Sequence, residues 1–357
     1  MTMDIATFTQ ILEIAFQKKV SDIHFEVDNP PIFRARGHLI YSKLSKLTWQ
    51  DTQFIASTVM EQHGRKLPER LTEFDTSYTL SNVGRFRVSV FRQRGNIGLV
   101  MRVIPHYIGT FEELNLPTVL GKITEAPNGL ILVCGPTGNG KSTTLASMIR
   151  YINDHFNYNI VTIEDPIEFI FHSNKSCIIQ REVGIDTESF DKALKAAMRM
   201  DPDVIMVGEM RDLETIDACI KAAETGHLVL STLHTHSAAS TINRVVGYFP
   251  TQVQENIRHR LAESLVATIS LRLVRGKGGE SILPALEVMY ATSTIKACIR
   301  DGHLDEIEQY IEKGRDEYQM QTLDQHLIQL VRQEAIALDE AKRISRSTDL
   351  ETKLIYY

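Results

Sequence analysis

The sequence predicts an α/β protein in two parts: a small α+β domain over residues 1–105, a linker over 106–118, and a larger α/β domain over 119–357 that ends in a helical carboxy-terminal region. Three observations carry that prediction. Before Pro105, short β-rich runs and turns surround one helical stretch; from residue 129, apolar strands alternate with helices; after Pro250, apolar residues recur at every third or fourth position. The second pattern implies a largely parallel sheet, because strands covered by helices on both sides have no polar face with which to alternate.

The elements follow in order. MTMDIATFTQILEIAFQKK sets Ile5, Phe8, Leu12, Ala15 and Phe16 at helical spacing, and Asp4 and Glu13 interrupt any signal-peptide core, so a packed surface helix is expected. IFRARGHLIYS, TSYTLSN and RFRVSVFRQ read as strands, the last with the period-two alternation of a half-buried antiparallel strand, and residues 48–63 form the helix between them. HYIGTFEELNLP has no strong period and ends at Pro117, which places the boundary between domains there. Beyond it, GLILVCG, NIVTIED, DVIMVGE and HLVLSTLHT are the apolar strands, with helices over residues 143–153, 190–200 and 213–225. Ile257, Leu261 and Leu265, and later Leu323, Leu327 and Leu330, make the remainder mostly helical.

Composition narrows the function classes. The chain of 357 residues can bury two cores, while Gly 20 and Pro 11 are too few for a disordered or collagenous chain. With 45 acidic and 39 basic side chains the net charge is -6, so no long-range field draws the chain to nucleic acid. GLILVCG is far shorter than the roughly 20 apolar residues of a membrane-crossing helix. Cys134, Cys177, Cys219 and Cys298 are widely separated and form no CxxC pair, which argues against a tetracysteine zinc site or disulfide framework and fits a reducing cytoplasm.

The sharpest motif is GPTGNGKS. Gly135, Pro136, Thr137, Gly138, Asn139, Gly140, Lys141 and Ser142 satisfy GxxxxGK[ST], follow the strand LILVC and open a helix at Thr143. Glycines let backbone N–H groups wrap phosphates, Lys141 reaches the β- and γ-phosphates, and the Ser142 hydroxyl can hold Mg²⁺. A Gly-rich strand-to-helix turn is the plainer reading, but the flanking strand and helix decide for a nucleotide such as ATP.

Other candidates sit at strand ends. Glu209 closes DVIMVGE: alone it reads as a solvated acid, but one βα step after a phosphate loop it reads as the carboxylate that activates water. Glu164 and Asp165, with Glu168 behind, gather at the end of IVTI, where α/β sheets bind ligands, although helix capping is the alternative. His227 and His234 flank HLVLSTL, and His234, beside Thr232 and Thr235, is either a structural histidine or a γ-phosphate sensor. Arg85, Arg87, Arg92, Arg94 and Arg102 crowd the end of the first domain, each either solvated or available to phosphate.

Taken together, these segments resemble the secretion-type hexameric ATPases, and within them the type IV pilus retraction motors, PilT-like and PilU-like. SDIHFE resembles the family's opening motif, GRFRVSVF its arginine-bearing strand, TIEDPIEF its acidic box, QREVGIDTESF the segment after that box, DPDVIMVGEMRD its Walker B region and GHLVLSTLHT its histidine box. The resemblance implies a PAS-like amino-terminal domain, a RecA-like ATPase domain and a homohexameric ring with nucleotide between domains and subunits. By motif, Lys141 and Ser142 are Walker A contacts, Glu209 is the catalytic acid, Glu164 belongs to the acidic box and His234 to the histidine box. Arg87 and Arg102 match the paired arginines that reach the nucleotide, with Arg85 the weaker match. ATP and Mg²⁺ are the implied cofactors. An inner-membrane pilus platform protein and a paralogous retraction ATPase are the implied partners, with no nucleic acid. The implied location is cytoplasmic and peripheral at the inner membrane. The family's carboxy-terminal AIRNLIRE corresponds to TIKACIRD, which keeps Ile295, Ile299 and Arg300 but lacks the first arginine and the asparagine, and His236 stands where asparagine or threonine is common.

The expected function is an ATP-hydrolysing motor for pilus retraction and twitching motility. The alternatives are an extension or type II secretion assembly ATPase, whose members usually add an amino-terminal domain and often a tetracysteine module for which this sequence has no room, and an accessory subunit beside a principal motor. A nucleic-acid translocase on the same ring would be expected to show a basic groove with stacking aromatics, which the charge of -6 and the single tryptophan, Trp49, do not support.

Overall fold

A computed structural model describes residues 3–35, 37–68, 72–81, 83–104, 107–279, 281–347 and 350–356. The chain divides into two compact units, Met1–Tyr107 with Pro166–Ile170, and Ile108–Asp165 with Phe171–Tyr357.

In the first unit, β1 (Asp22–Phe25), β2 (Ile32–Ala35), β3 (His38–Tyr41), β4 (Glu73–Leu80), β5 (Gly84–Gln93) and β6 (Asn96–Ile104) form an antiparallel sheet in the order β3-β2-β1-β6-β5-β4. Alternation in β5 decides the facing: Phe86, Val88 and Val90 are buried, together with Leu99 and Met101 of β6. Two helices, Ile5–Gln17 and Trp49–Glu61, supply Phe8, Leu12, Ile55 and Val59 to the same core. Asp4 caps the first helix, and Thr48 with Asp51 forms a capping box on the second.

The second unit is built on β7 (Gly129–Cys134), β8 (Asn159–Glu164), β9 (Cys177–Glu182), β10 (Val204–Val207), β11 (Leu228–Leu233), β12 (Leu265–Arg275) and β13 (Ile282–Tyr290), in the order β13-β12-β7-β11-β10-β8-β9. The neighbours from β12 to β9 pair in parallel and β13 is antiparallel. Both faces are covered: Leu130 and Leu132 of β7 join one core with Ile216, Ile242 and Leu261, while Ile131 and Val133 join the other with Leu120, Leu145 and Ile149. Phe111 and Leu116, inside the stretch read as linker, are buried in that second core, while Pro105 and His106 lie outside the described residues.

The hairpin β12–β13 falls in a stretch whose apolar spacing reads as helix. Ile257 and Leu261 do lie on the helix Gln254–Ser264, but Leu265, next in that spacing, is the first residue of β12, where Val266, Thr268 and Ile269 favour an extended chain. Pro284 is tolerated because β13 is an edge strand. From Ser293 onward helices follow, and Leu323, Leu327 and Leu330 pack with Val274 and Ala285. Because β7, β8, β10 and β11 run parallel and in register, the segments after Cys134, Glu164, Val207 and Leu233 leave one edge of the sheet together.

Candidate functional site

The loop after β7 is shaped by backbone constraints that only glycine meets. Gly135 has φ 149°, and a Cβ there would lie 2.7 Å from the Leu271 carbonyl of β12. Gly140, with φ 84°, is the residue before the helix Lys141–His155 and offers no capping side chain, unlike Ser189, Asp212 and Ser237 before other helices. No side chain caps the first turn of that helix, the kind of helix N-terminus at which an anion can bind. Asn139 Oδ1 accepts the Leu273 amide at 2.9 Å and ties the loop to β12, Thr137 and Gly138 are exposed, and Pro136, Ser142 and Thr143 are half-buried. Lys141 curls over its own loop, its Nζ donating to the carbonyls of Gly135 at 2.8 Å and Pro136 at 3.1 Å.

From Lys141 a line of contacts runs along the sheet edge. Its Nζ stands 3.3 Å from His234 Nδ1, and His234 Nε2 stands 3.1 Å from Glu209 Oε1. An ammonium has donors only, so Nδ1 accepts, the ring proton sits on Nε2, and Nε2 donates to Glu209. Glu209 Oε2 accepts from Arg211 Nε at 2.9 Å, and Arg211 Nη1 reaches Asp165 Oδ2 at 3.3 Å. Lys141, Glu209 and His234, chosen from separate motifs, therefore meet, while Arg211 is a member that the sequence reading passed over. Its signal was present, since it lies two residues beyond Glu209 in GEMRD.

Glu164 is buried and accepts from Thr162 Oγ1 at 2.7 Å and Gln180 Nε2 at 3.0 Å. Gln180 was missed because β9 was not anticipated; in the sheet it is the register partner of Thr162. Glu168 belongs to the first unit, and Glu164 and Asp165 belong to the second. His227 lies before β11, at the opposite end from His234, with Nδ1 2.9 Å from the Ala222 carbonyl at the end of the preceding helix.

Within the first unit, Arg87 and Arg102 are direct register partners on β5 and β6. Arg102 is also opposite Asp22 of β1 and donates to it from Nε at 2.9 Å, with its side chain 65% exposed. Arg85 donates to Ser77 Oγ at 2.7 Å and Arg92 to the Gly95 carbonyl at 3.0 Å, while Arg94 occupies a turn with φ 51°. The TIKACIRD stretch lies on the helix Ser293–Asp301, where Ile295 and Ile299 are buried and Arg300 pairs with Glu263 at 3.3 Å.

Among the described residues no group of three His, Cys, Asp or Glu side chains could hold a metal alone. The donor set fits a cation that arrives with phosphates and takes one protein ligand, the Ser142 hydroxyl in the first turn of the helix. No described helix is long and apolar enough to cross a membrane.

Residues 3–353 match the family model of the Type II/IV secretion system protein. The chain is 43% identical to the twitching motility protein of Neisseria gonorrhoeae over 319 residues, 89% of this chain and 85% of that protein. It is 42% identical to the type IV pilus retraction ATPase PilT of Pseudomonas aeruginosa over 334 residues, 94% of this chain and 96% of that one. The crystal structure of the pilus retraction motor PilT with bound ADP superposes with a TM-score of 0.89 at 42% identity, covering 99% of this chain and 100% of that one. The shared fold bears out the expected class, a PAS-like α+β part followed by a RecA-like P-loop α/β part with a helical carboxy-terminal region. The chain belongs to the Type II/IV secretion system protein family, and within it stands with the PilT ATPases.

Proposed function

We propose that this chain is an ATP-hydrolysing motor of type IV pilus retraction, acting as a homohexamer at the cytoplasmic face of the inner membrane on a pilus platform protein, alongside a paralogous retraction ATPase. The observation that carries the reading is the contact line from Lys141 through His234 to Glu209 beside the phosphate loop.

The chemistry follows from those groups. Loop and helix amides from Gly135 to Thr143 hold the β- and γ-phosphates, and Lys141 exchanges the Gly135 and Pro136 carbonyls for phosphate oxygens. The Ser142 hydroxyl would hold Mg²⁺, which would neutralise charge developing on the phosphates. Glu209 orients the attacking water and takes its proton. His234 and Arg211 keep its two oxygens in place, so its carboxylate plane is set before water arrives. His234, between Lys141 and Glu209, reports the presence of the γ-phosphate to the base, and Glu164 supports the same edge from its buried seat. Arg87 and Arg102 contribute phosphate contacts. As register partners they rise from the same face of the sheet, where Arg102 also pairs with Asp22, and planar guanidinium groups suit phosphate oxygens. Hydrolysis breaks the β–γ phosphoanhydride bond with water, giving ADP and inorganic phosphate, and loss of the γ-phosphate frees Lys141 and His234 from it, which is the change in contacts that drives the motor.

The test is hydrolysis of Mg-ATP by the purified chain. Lys141→Ala is expected to lose turnover by at least about 100-fold, as removal of a central phosphate contact does. Wild-type turnover in that variant excludes the site. Deleting the gene in its native host gives the direction: piliated but non-twitching cells support retraction, whereas bald cells show an assembly motor.

A further inference from the structure

The second unit holds a buried ionic group that the proposed chemistry does not use. Glu287 of β13 has its side chain 2% exposed, and burial pushes its carboxyl above the usual range. Its Oε1 accepts the Ala238 amide at 2.7 Å, and its Oε2 pairs with the Arg346 guanidinium. The same guanidinium donates from its other terminal nitrogen to the carbonyl of His236. One planar fork therefore joins the buried carboxylate to the segment between His234 and the helix Ala238–Gly247, and the carboxylate grips that segment again at Ala238.

Arg346 is itself seated from behind. Its amide donates to Asp324 Oδ1 at 3.1 Å, and Ser345 Oγ donates to the same oxygen at 3.0 Å. The helix Leu350–Tyr356 beyond it is fastened by Arg332, which donates to the Leu354 carbonyl at 2.9 Å, and by the Lys342–Glu351 pair at 2.5 Å. His234 is 43% exposed and meets Lys141 and Glu209 through its two ring nitrogens at 3.3 and 3.1 Å. A loop shift of about 1 Å would break both contacts, since hydrogen bonds fail steeply beyond their normal range.

We propose that Arg346 is a positioning residue for His234: the seated carboxy-terminal segment holds the loop 234–238 at the height from which the histidine reaches both the phosphate-loop lysine and Glu209. The proposal rests on the reading of His234 given above. It makes the seating of the last helix a determinant of turnover, although that helix belongs to a different packing cluster from the sheet edge.

Steady-state ATP hydrolysis and thermal melting of full-length Arg346→Ala, Arg346→Ala/Glu287→Gln and His234→Ala test it. Arg346→Ala alone leaves a buried carboxylate without its counter-charge, so its melting temperature falls for a reason unrelated to the loop. Adding Glu287→Gln removes that charge while the amide oxygen still accepts from Ala238, and melting recovers. The expected result is that kcat stays about tenfold low in both Arg346 variants with KM within about twofold, because the His236 carbonyl has lost its anchor. A double variant that melts and turns over like the wild type overturns the proposal, and so does wild-type kcat in Arg346→Ala. If Arg346→Ala does not fold, the double variant decides alone. Wild-type kcat in His234→Ala fails the underlying reading of that histidine; a slow His234→Ala beside a fast double variant fails the role of Arg346 only.

Discussion

In the second unit, the central strands β7, β8, β10 and β11 carry no charged side chain until the last residue of β8, whereas in the first unit charged side chains stand mid-strand and in register. Arg34, Asp22, Arg102 and Arg87 lie in one row across β2, β1, β6 and β5. The difference follows from topology. Parallel strands buried on both faces leave only their ends for charge, so Lys141, Glu209, His234 and Asp165, each beyond the carboxyl end of a strand, meet along one edge. The antiparallel sheet is covered by helices on one face, and its charges are organised by cross-strand pairing, where a shift of one residue would dissolve the row. Chemistry built on the first pattern has few ways to be misplaced, while phosphate contacts built on the second depend on each residue's neighbour.

The largest expected effect breaks the edge. Glu209→Gln keeps the side chain's size but removes the base, so single-turnover hydrolysis is expected to fall by about 1000-fold with nucleotide still retained. Quenched-flow hydrolysis beside equilibrium nucleotide binding checks this; an unchanged hydrolysis rate removes Glu209 from the chemistry and leaves the contact line a structural feature.

A smaller effect sharpens the comparison from the other side. Arg87→Ala and Arg102→Ala are each expected to lower kcat by about 10- to 100-fold with little change in nucleotide affinity, since an arginine that acts on transition-state charge contributes little to ground-state binding. Arg34→Ala, in the same row and facing Asp22 at 4.0 Å, is expected to keep wild-type turnover. Equal rates in all three variants would reduce the row to surface charge, whose pairs contribute little to stability.

Legibility in the sequence divides along the same line. Gly135 to Thr143 could be read because the loop's geometry is imposed on adjacent residues, and the positive φ at Gly135 and Gly140 is a property of those positions alone. Glu209 and His234 could be read because each lies within two residues of the end of a strand whose apolar run is visible. The partners that pairing supplies were not visible. Gln180 reaches Glu164 through the register of an edge strand with mixed polarity, Asp22 meets Arg102 across 80 residues and Arg346 meets Glu287 across 59. The hairpin β12–β13 escaped because Ile257, Leu261 and Leu265 keep helical spacing across the point where helix gives way to strand.

The smallest effect separates the two units by acidity. His326, in the second unit, is buried, and burial pushes its pKa from 6.5 down to about 4; the Leu286 amide donates to its Nδ1 at 2.9 Å, which only the neutral ring accepts. The unfolded chain binds this proton first, so the stability contributed by His326 is complete above pH 6.5 and is lost as pH falls toward 4. At pH 5 the loss amounts to about 2 kcal/mol, because one pKa unit corresponds to about 1.4 kcal/mol. In the first unit the sign is the same but the window is lower. Burial raises the Asp51 carboxyl, yet hydrogen bonds from Thr48 and Met3 outweigh it and hold the group below 3.8, so its contribution persists until pH falls beneath that value. Between pH 6.5 and 4.5, protection factors, which divide out the slowing of intrinsic exchange with falling pH, should therefore drop in β12, β13 and the helix Leu323–Arg332 while β5 and β6 keep theirs. His326→Gln, whose amide oxygen replaces the Nδ1 acceptor and does not titrate, should remove that difference. A parallel loss of protection in both units, or an unaltered pH profile in the variant, would assign the acid sensitivity to some other group.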